Sequence, residues 1–171
     1  FNWVANPRSY ITPERPARFW FDIYSKSAKR FRDIVARENA EIIIANHTSY
    51  VDGFLLALVC RRLGRTLRLL ATAGVFRIPV VGPLATRVGF IPVERGSADA
   101  ARSLEPALEA LSHGEAVGLF PEGRTTRHPD QWPERARTGV VRLAVRSGAP
   151  VVPVAMVGAH RVLGRRRIVS R

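Results

Sequence analysis

Between residues 41 and 158, short apolar runs rich in β-branched residues alternate with segments of helical length, and this restricts the fold more than any other feature. "EIIIAN" (41–46), "LRLLATA" (67–73), "GFIPVER" (89–95), "EAVGLFP" (115–121) and "PVVPVAMVG" (150–158) have the length and residue types of strands. "GFLLALVCRRLG" (53–64) reads as a helix with a glycine stop, and "TGVVRLAVRSG" (138–148) as one ending at Gly148. Ala101, Leu104, Leu108 and Leu111 suit a helix that Ser97 can cap and that runs to about residue 112, with Pro106 able to kink or delay it. Pro79 and Pro83 break any long helix over 76–88. The alternation implies a single α/β domain over 41–171, with a largely parallel central sheet flanked by helices, in which ligands gather at strand ends.

With 171 residues such a domain buries roughly 70% of the surface its unfolded chain would expose, so packing alone can hold it. The single cysteine, Cys60, leaves no internal disulfide and reads as a small core residue in "FLLALVC". His113, His128 and His160 are scattered, no pair has the spacing of a metal site, and no metal is expected.

Residues 1–40 form a separate amphipathic segment. Thr12, Pro13 and Glu14 make a good helix start, and Trp20, Ile23, Tyr24, Phe31, Ile34 and Val35 recur at helical spacing. Lys and Arg crowd the other face. Two readings stand for this basic helix: contact with a membrane surface, or an apolar stripe packed on the domain with a solvated basic face. The formal net charge of +13 points to anionic partners, whether nucleic acid, an anionic membrane surface or a phosphorylated small molecule. The basic residues are dispersed and no nucleic-acid recognition motif is present, so nucleic acid is the weakest of the three. No run reaches the 18 or so apolar residues of a membrane-spanning helix. Beginning at Phe1 and ending in "RRRIVSR", the sequence also reads as a piece of a longer chain, in which an anchor could lie outside the part given.

The chemistry concentrates in "NHTSYVD", residues 46–52. Five positions turn a helix by roughly 500°, so one regular helix would hold His47 and Asp52 some 140° apart. The spacing instead suits a strand ending at Asn46, a turn through Thr48 and Ser49, and a helix starting near Asp52, whose carboxylate reaches back to the imidazole. A carboxylate on one ring nitrogen leaves the other free to take a proton, which is a general base with its orienting partner. On spacing alone, a hydrogen-bonded loop histidine beside a helix-capping aspartate remains open. Ser49 is read as supporting the turn in preference to acting as a covalent nucleophile.

"NHTSYVD", "GFIPVER", "FPEGRTT" and "VPVAMVG" resemble, in the same order, the four sequence blocks of the glycerolipid acyltransferases, the family that includes 1-acylglycerol-3-phosphate acyltransferase; the resemblance covers about residues 41 to 160. It implies that His47 is the catalytic base that deprotonates the acceptor hydroxyl and Asp52 its partner. The hydroxyl oxygen would attack the thioester of acyl-CoA directly, with no cofactor and no acyl-enzyme. It further implies that Arg95, Glu122, Gly123 and an arginine of the third block bind the acceptor, and that Pro153 serves the acyl-donor side or the fold. That block usually reads Phe-Pro-Glu-Gly-Thr-Arg-Ser, whereas this chain has Phe120-Pro121-Glu122-Gly123-Arg124-Thr125-Thr126. Arg124 is therefore the first choice for the acceptor phosphate and Arg127 the second. The implied function is phospholipid biosynthesis at the cytoplasmic face of the membrane, with acyl-CoA or acyl-carrier protein as donor. The acceptor would be a lysophospholipid, with glycerol 3-phosphate, another lysolipid or a glycolipid as alternatives.

Overall fold

The computed structural model describes residues 40–94 and 104–163, together with Lys29. The amphipathic segment expected over 1–40 and the expected phosphate ligand Arg95 lie outside the described residues. Strands β1 (Glu41–Ala45), β2 (Leu67–Thr72), β3 (Ile91–Val93), β4 (Ala116–Leu119) and β5 (Val151–Val154) form one five-stranded sheet in the order β3-β2-β4-β1-β5. Every pairing is parallel. The helices are α1 (Asp52–Arg62), α2 (Val81–Arg87), α3 (Glu105–Ser112), α4 (Gly139–Ser147) and α5 (His160–Leu163), with a 3₁₀ turn over Ala73–Arg77.

The α/β class and the parallel sheet follow the alternation in the sequence. One detail differs. The last strand stops at Val154, because Met156 leaves the ladder to bond Asn46: its N–H donates to Asn46 Oδ1 at 2.7 Å and its carbonyl accepts from Asn46 Nδ2 at 2.9 Å. As Pro79 and Pro83 imply, no long helix spans 76–88: only the seven-residue α2 forms, with Pro83 in its first turn, where no intrahelical N–H bond is lost. The expected Ser97 cap and Ala101 lie outside the described residues; the described helix before β4 is Glu105–Ser112, with Pro106 in its first turn, a position proline favours.

Strand order explains where the site lies. The chain passes from β1 across β4 to β2 and β3, then returns to β4 and passes across β1 to β5. Right-handed crossovers running in opposite directions put their helices on opposite faces. On one face Ile42, Val117 and Leu119 pack with Ala107, Ala110 and Leu111 of α3 and Leu143 of α4. On the other, α1 presses so close that a Cβ on Gly53 would lie 2.5 Å from Leu69, and Gly118 in β4 leaves room for Leu67 and Leu69. The connections leaving β1 and β4, adjacent strands, therefore diverge, and their carboxyl ends open a crevice where α/β sheets bind ligands.

At the opposite end of β1, Glu41 is buried and its carboxyl is held above the ordinary range by loss of hydration, with Arg65 pulling it down. Cys60 of α1 is fully buried, and burial together with Glu41 pushes its thiol up to about 12. Cys60 should therefore resist a disulfide thiol reagent at about pH 8 in the folded protein and react stoichiometrically in denaturant, as read by absorbance of the released thiolate.

Candidate active site

The crevice is built chiefly by the segments that follow β1 and β4. Between β1 and α1, residues 46–51 turn the chain so that Asp52, the first residue of α1, points back along the loop. Its Oδ2 atom accepts the N–H groups of Thr48 at 2.6 Å and Ser49 at 2.7 Å, and lies 3.1 Å from His47 Nδ1. Asp52 is completely buried. A carboxylate oxygen facing Nδ1 favours the tautomer in which that nitrogen donates and Nε2 holds the lone pair. The ring is also stacked on Phe120 of the loop after β4, with centroids 4.2 Å apart and planes 12° from parallel. One hydrogen bond and one aromatic face thus set both the rotation and the plane of the imidazole. Ser49 is fully buried and donates its hydroxyl to the Leu163 carbonyl at 2.9 Å, so its oxygen is engaged in holding the turn.

A second carboxylate joins the loops. Glu122, 5% exposed, accepts His47 N–H on Oε1 and Glu134 N–H on Oε2, both at 2.9 Å. Thr126 N–H in turn donates to the His47 carbonyl at 2.7 Å. Gly123 turns the chain at φ +70°, where a Cβ would meet the Arg137 side chain at 3.0 Å. Further along, Glu134 receives Arg127 N–H on Oε1 at 2.5 Å and the Arg124 guanidinium on Oε2, and these donors hold its carboxyl below the ordinary range. Arg137 N–H closes the loop on the Pro121 carbonyl at 2.9 Å.

These segments line a cavity of about 840 Å³, with His47 in its wall. Phe54, Leu69, Phe90 and Leu119 give it apolar walls, and its rim carries Arg124, Arg135, Arg137 and Arg142. Arg124 is paired with Glu134. Among the described residues, no carboxylate pairs with Arg135, Arg137 or Arg142. The arrangement offers an imidazole, an apolar slot and guanidinium groups in one space, suited to a molecule with a long apolar part and an anionic group. Among the described residues, no three His, Cys, Asp or Glu side chains converge as a metal site would require.

Of the residues singled out from sequence, His47, Glu122, Gly123 and Arg124 line this cavity, and Asp52 lies behind His47. Arg127 is exposed and off the cavity wall, contributing its main-chain N–H to the Glu134 clamp. Sequence reading missed Phe120, Glu134, Arg135, Arg137 and Arg142. The only signal was position, since "FPEG" follows β4 and "ERARTG" leads into α4.

Residues 27–157 match the family model described as Acyltransferase. The chain is 26% identical over 153 residues to the chloroplastic 1-acyl-sn-glycerol-3-phosphate acyltransferase BAT2 of Brassica napus, covering 86% of this chain and 43% of that protein. It is 27% identical over 129 residues to the 1-acyl-sn-glycerol-3-phosphate acyltransferase of Borreliella burgdorferi (74% and 49%). It is 34% identical over 116 residues to the lyso-ornithine lipid O-acyltransferase of Pseudomonas aeruginosa (66% and 41%). The chain thus spans less than half the length of these relatives.

Replacing Glu122 by alanine strands two main-chain N–H groups, those of His47 and Glu134, away from any acceptor. The expected cost is about 2 kcal/mol or more, read as a lower urea midpoint with an unchanged slope.

Proposed function

The chain belongs to the acyltransferase family, and from that premise we propose that it moves a fatty acyl group from a thioester donor to the free hydroxyl of a lysophospholipid such as 1-acylglycerol 3-phosphate, in phospholipid biosynthesis. The observation that carries this reading is the imidazole itself, held by Asp52 through Nδ1 and by Phe120 through its face, in a residue that lines a partly apolar cavity. In the first step Nε2 accepts the hydroxyl proton as the acceptor oxygen bonds to the thioester carbonyl carbon. Collapse of the tetrahedral intermediate breaks the C–S bond, and the leaving thiolate takes the proton back from the imidazolium. Asp52 stabilises the transient positive charge and keeps the ring in the reactive tautomer. No protein nucleophile is required, in keeping with the burial of Ser49.

The donor is acyl-CoA in this reading, with an acyl-carrier protein thioester as the alternative. Phosphate groups of donor or acceptor meet the rim arginines, whose guanidinium forks match phosphate oxygens in pairs. Binding there leaves the reacting hydroxyl and carbonyl close together, a positioning effect worth several kcal/mol. A lysolipid acceptor implies work at a membrane surface.

His47→Ala should lower kcat by about 10² to 10⁴-fold without loss of folding, measured by release of the free thiol from acyl-CoA in the presence of acceptor. Equal turnover by both proteins would falsify the assignment of the base. The acceptor is tested by a panel of glycerol 3-phosphate, 1-acylglycerol 3-phosphate and lyso-ornithine lipid with one labelled donor, read by product mass. Arg137→Gln with Arg142→Gln should raise KM for a phosphorylated substrate by about tenfold, with little change in kcat.

A further inference from the structure

The segment between β2 and β3 presents apolar side chains to water in a way its own backbone disfavours. Val80 lies at φ +67°, ψ −47°, and the N–H of Val81 donates to the Pro79 carbonyl at 2.7 Å. This is a γ-turn of the strained hand, placed on a β-branched residue for which positive φ is unfavourable. Glycine would adopt it without strain, yet the position holds valine, 81% exposed. Ile78 and Leu84 beside it are 48% and 46% exposed, and Pro79 and Pro83 are exposed too.

The tip is firmly built. Gly82 N–H donates to the Ile78 carbonyl at 2.8 Å, and Ile78 N–H to the Val75 carbonyl at 3.2 Å. The 3₁₀ turn and α2 pack so tightly that a Cβ on Gly82 would lie 2.2 Å from the Phe76 carbonyl oxygen. Backbone strain held by its surroundings, displaying apolar surface to solvent, marks a place where contact is made. Two further observations identify the partner. Exposed Arg77 and Arg87 flank the apolar tip, and no acidic residue occurs from Ala73 to Val93, so the collar is uniformly cationic. The tip also starts at the reaction cavity, since Thr72 and Val75 line its wall.

We propose that Ile78, Val80 and Leu84 insert into the outer part of a bilayer while Arg77 and Arg87 engage anionic headgroups, docking the cavity mouth on the lipid surface. An apolar tip with a basic collar suits that boundary, where buried apolar area and attraction to anionic lipid add. The role assigned to this docking, delivery of a lysolipid to His47 without full exposure to water, rests on the acyl-transfer reading above. The docking itself does not require turnover.

The test is sedimentation of the full chain with vesicles of phosphatidylcholine, with and without phosphatidylglycerol. Binding should require phosphatidylglycerol and weaken with added salt. Ile78→Asp with Val80→Asp should reduce vesicle binding by about tenfold or more, and Arg77→Gln or Arg87→Gln by about fivefold each. Val80→Gly guards against misfolding, since it removes the side chain and relieves the positive-φ strain; its thermal midpoint should stay equal or rise while vesicle binding falls. The proposal is overturned if these variants sediment with anionic vesicles as well as the parent does. It is equally overturned if they alter only self-association in analytical ultracentrifugation, which would make the tip a contact between copies. Loss of vesicle binding in the tip variants, with an intact parent that transfers no acyl group, would uphold docking and remove the catalytic reading.

Discussion

A single oxygen, Oδ2 of Asp52, organises the reactive loop. It gathers the Thr48 and Ser49 N–H groups and His47 Nδ1, at 2.6, 2.7 and 3.1 Å, in a fully buried position. Main-chain donors leave the carboxylate no freedom to rotate away, so the same contacts that close the turn also aim the ring. Asp52 opens α1, and the N-terminal end of that helix favours the negative charge. Structural and chemical roles therefore coincide in one side chain, and the loop cannot relax without releasing the imidazole.

Around that centre the strand ends are tied to one another by polar side chains that bond main chain. Glu122 links the loops after β1 and β4, Asn46 draws Met156 out of β5, and Ser49 reaches the Leu163 carbonyl. Glu134 then gathers Arg124 and Arg127 N–H, folding residues 120–138 over the cavity. Glu122 lines the cavity, yet both of its oxygens are taken by main-chain N–H groups, so what the side chain visibly does is position His47. The imidazole is held firmly by such a frame because each supporting contact is itself buried or paired.

Much of the fold was legible because its signals are local. "EIIIA", "LRLLAT" and "AVGL" carry the apolar run of a doubly covered strand, and the helix over 139–147 ends at Gly148 in the left-handed conformation that glycine favours. The His47 and Asp52 pair was legible for the same reason, since five residues of a turn join them. Less legible were features that depend on distant partners. Strand β5 ends early because Asn46, 110 residues away, captures Met156. Arg135, Arg137 and Arg142 look like any basic stretch until Arg137 N–H bonds Pro121 and turns that segment toward the cavity. Arg127 shows the converse, since its place beside "FPEG" suggested a ligand role and the loop leaves its side chain outside.

By itself the sequence determined the alternation of elements, the parallel α/β class and the turn that joins His47 to Asp52, because each is settled by side-chain period and contacts within a few residues. Tertiary structure alone decided the order β3-β2-β4-β1-β5. That order sets β1 beside β4, brings Phe120 and Glu122 against His47, and leaves three arginines at the rim of its cavity. The physical reason is that neighbour choice among parallel strands comes from how crossover helices pack on each face, as Gly53 and Gly118 do against Leu69, and that packing leaves no local periodicity to read.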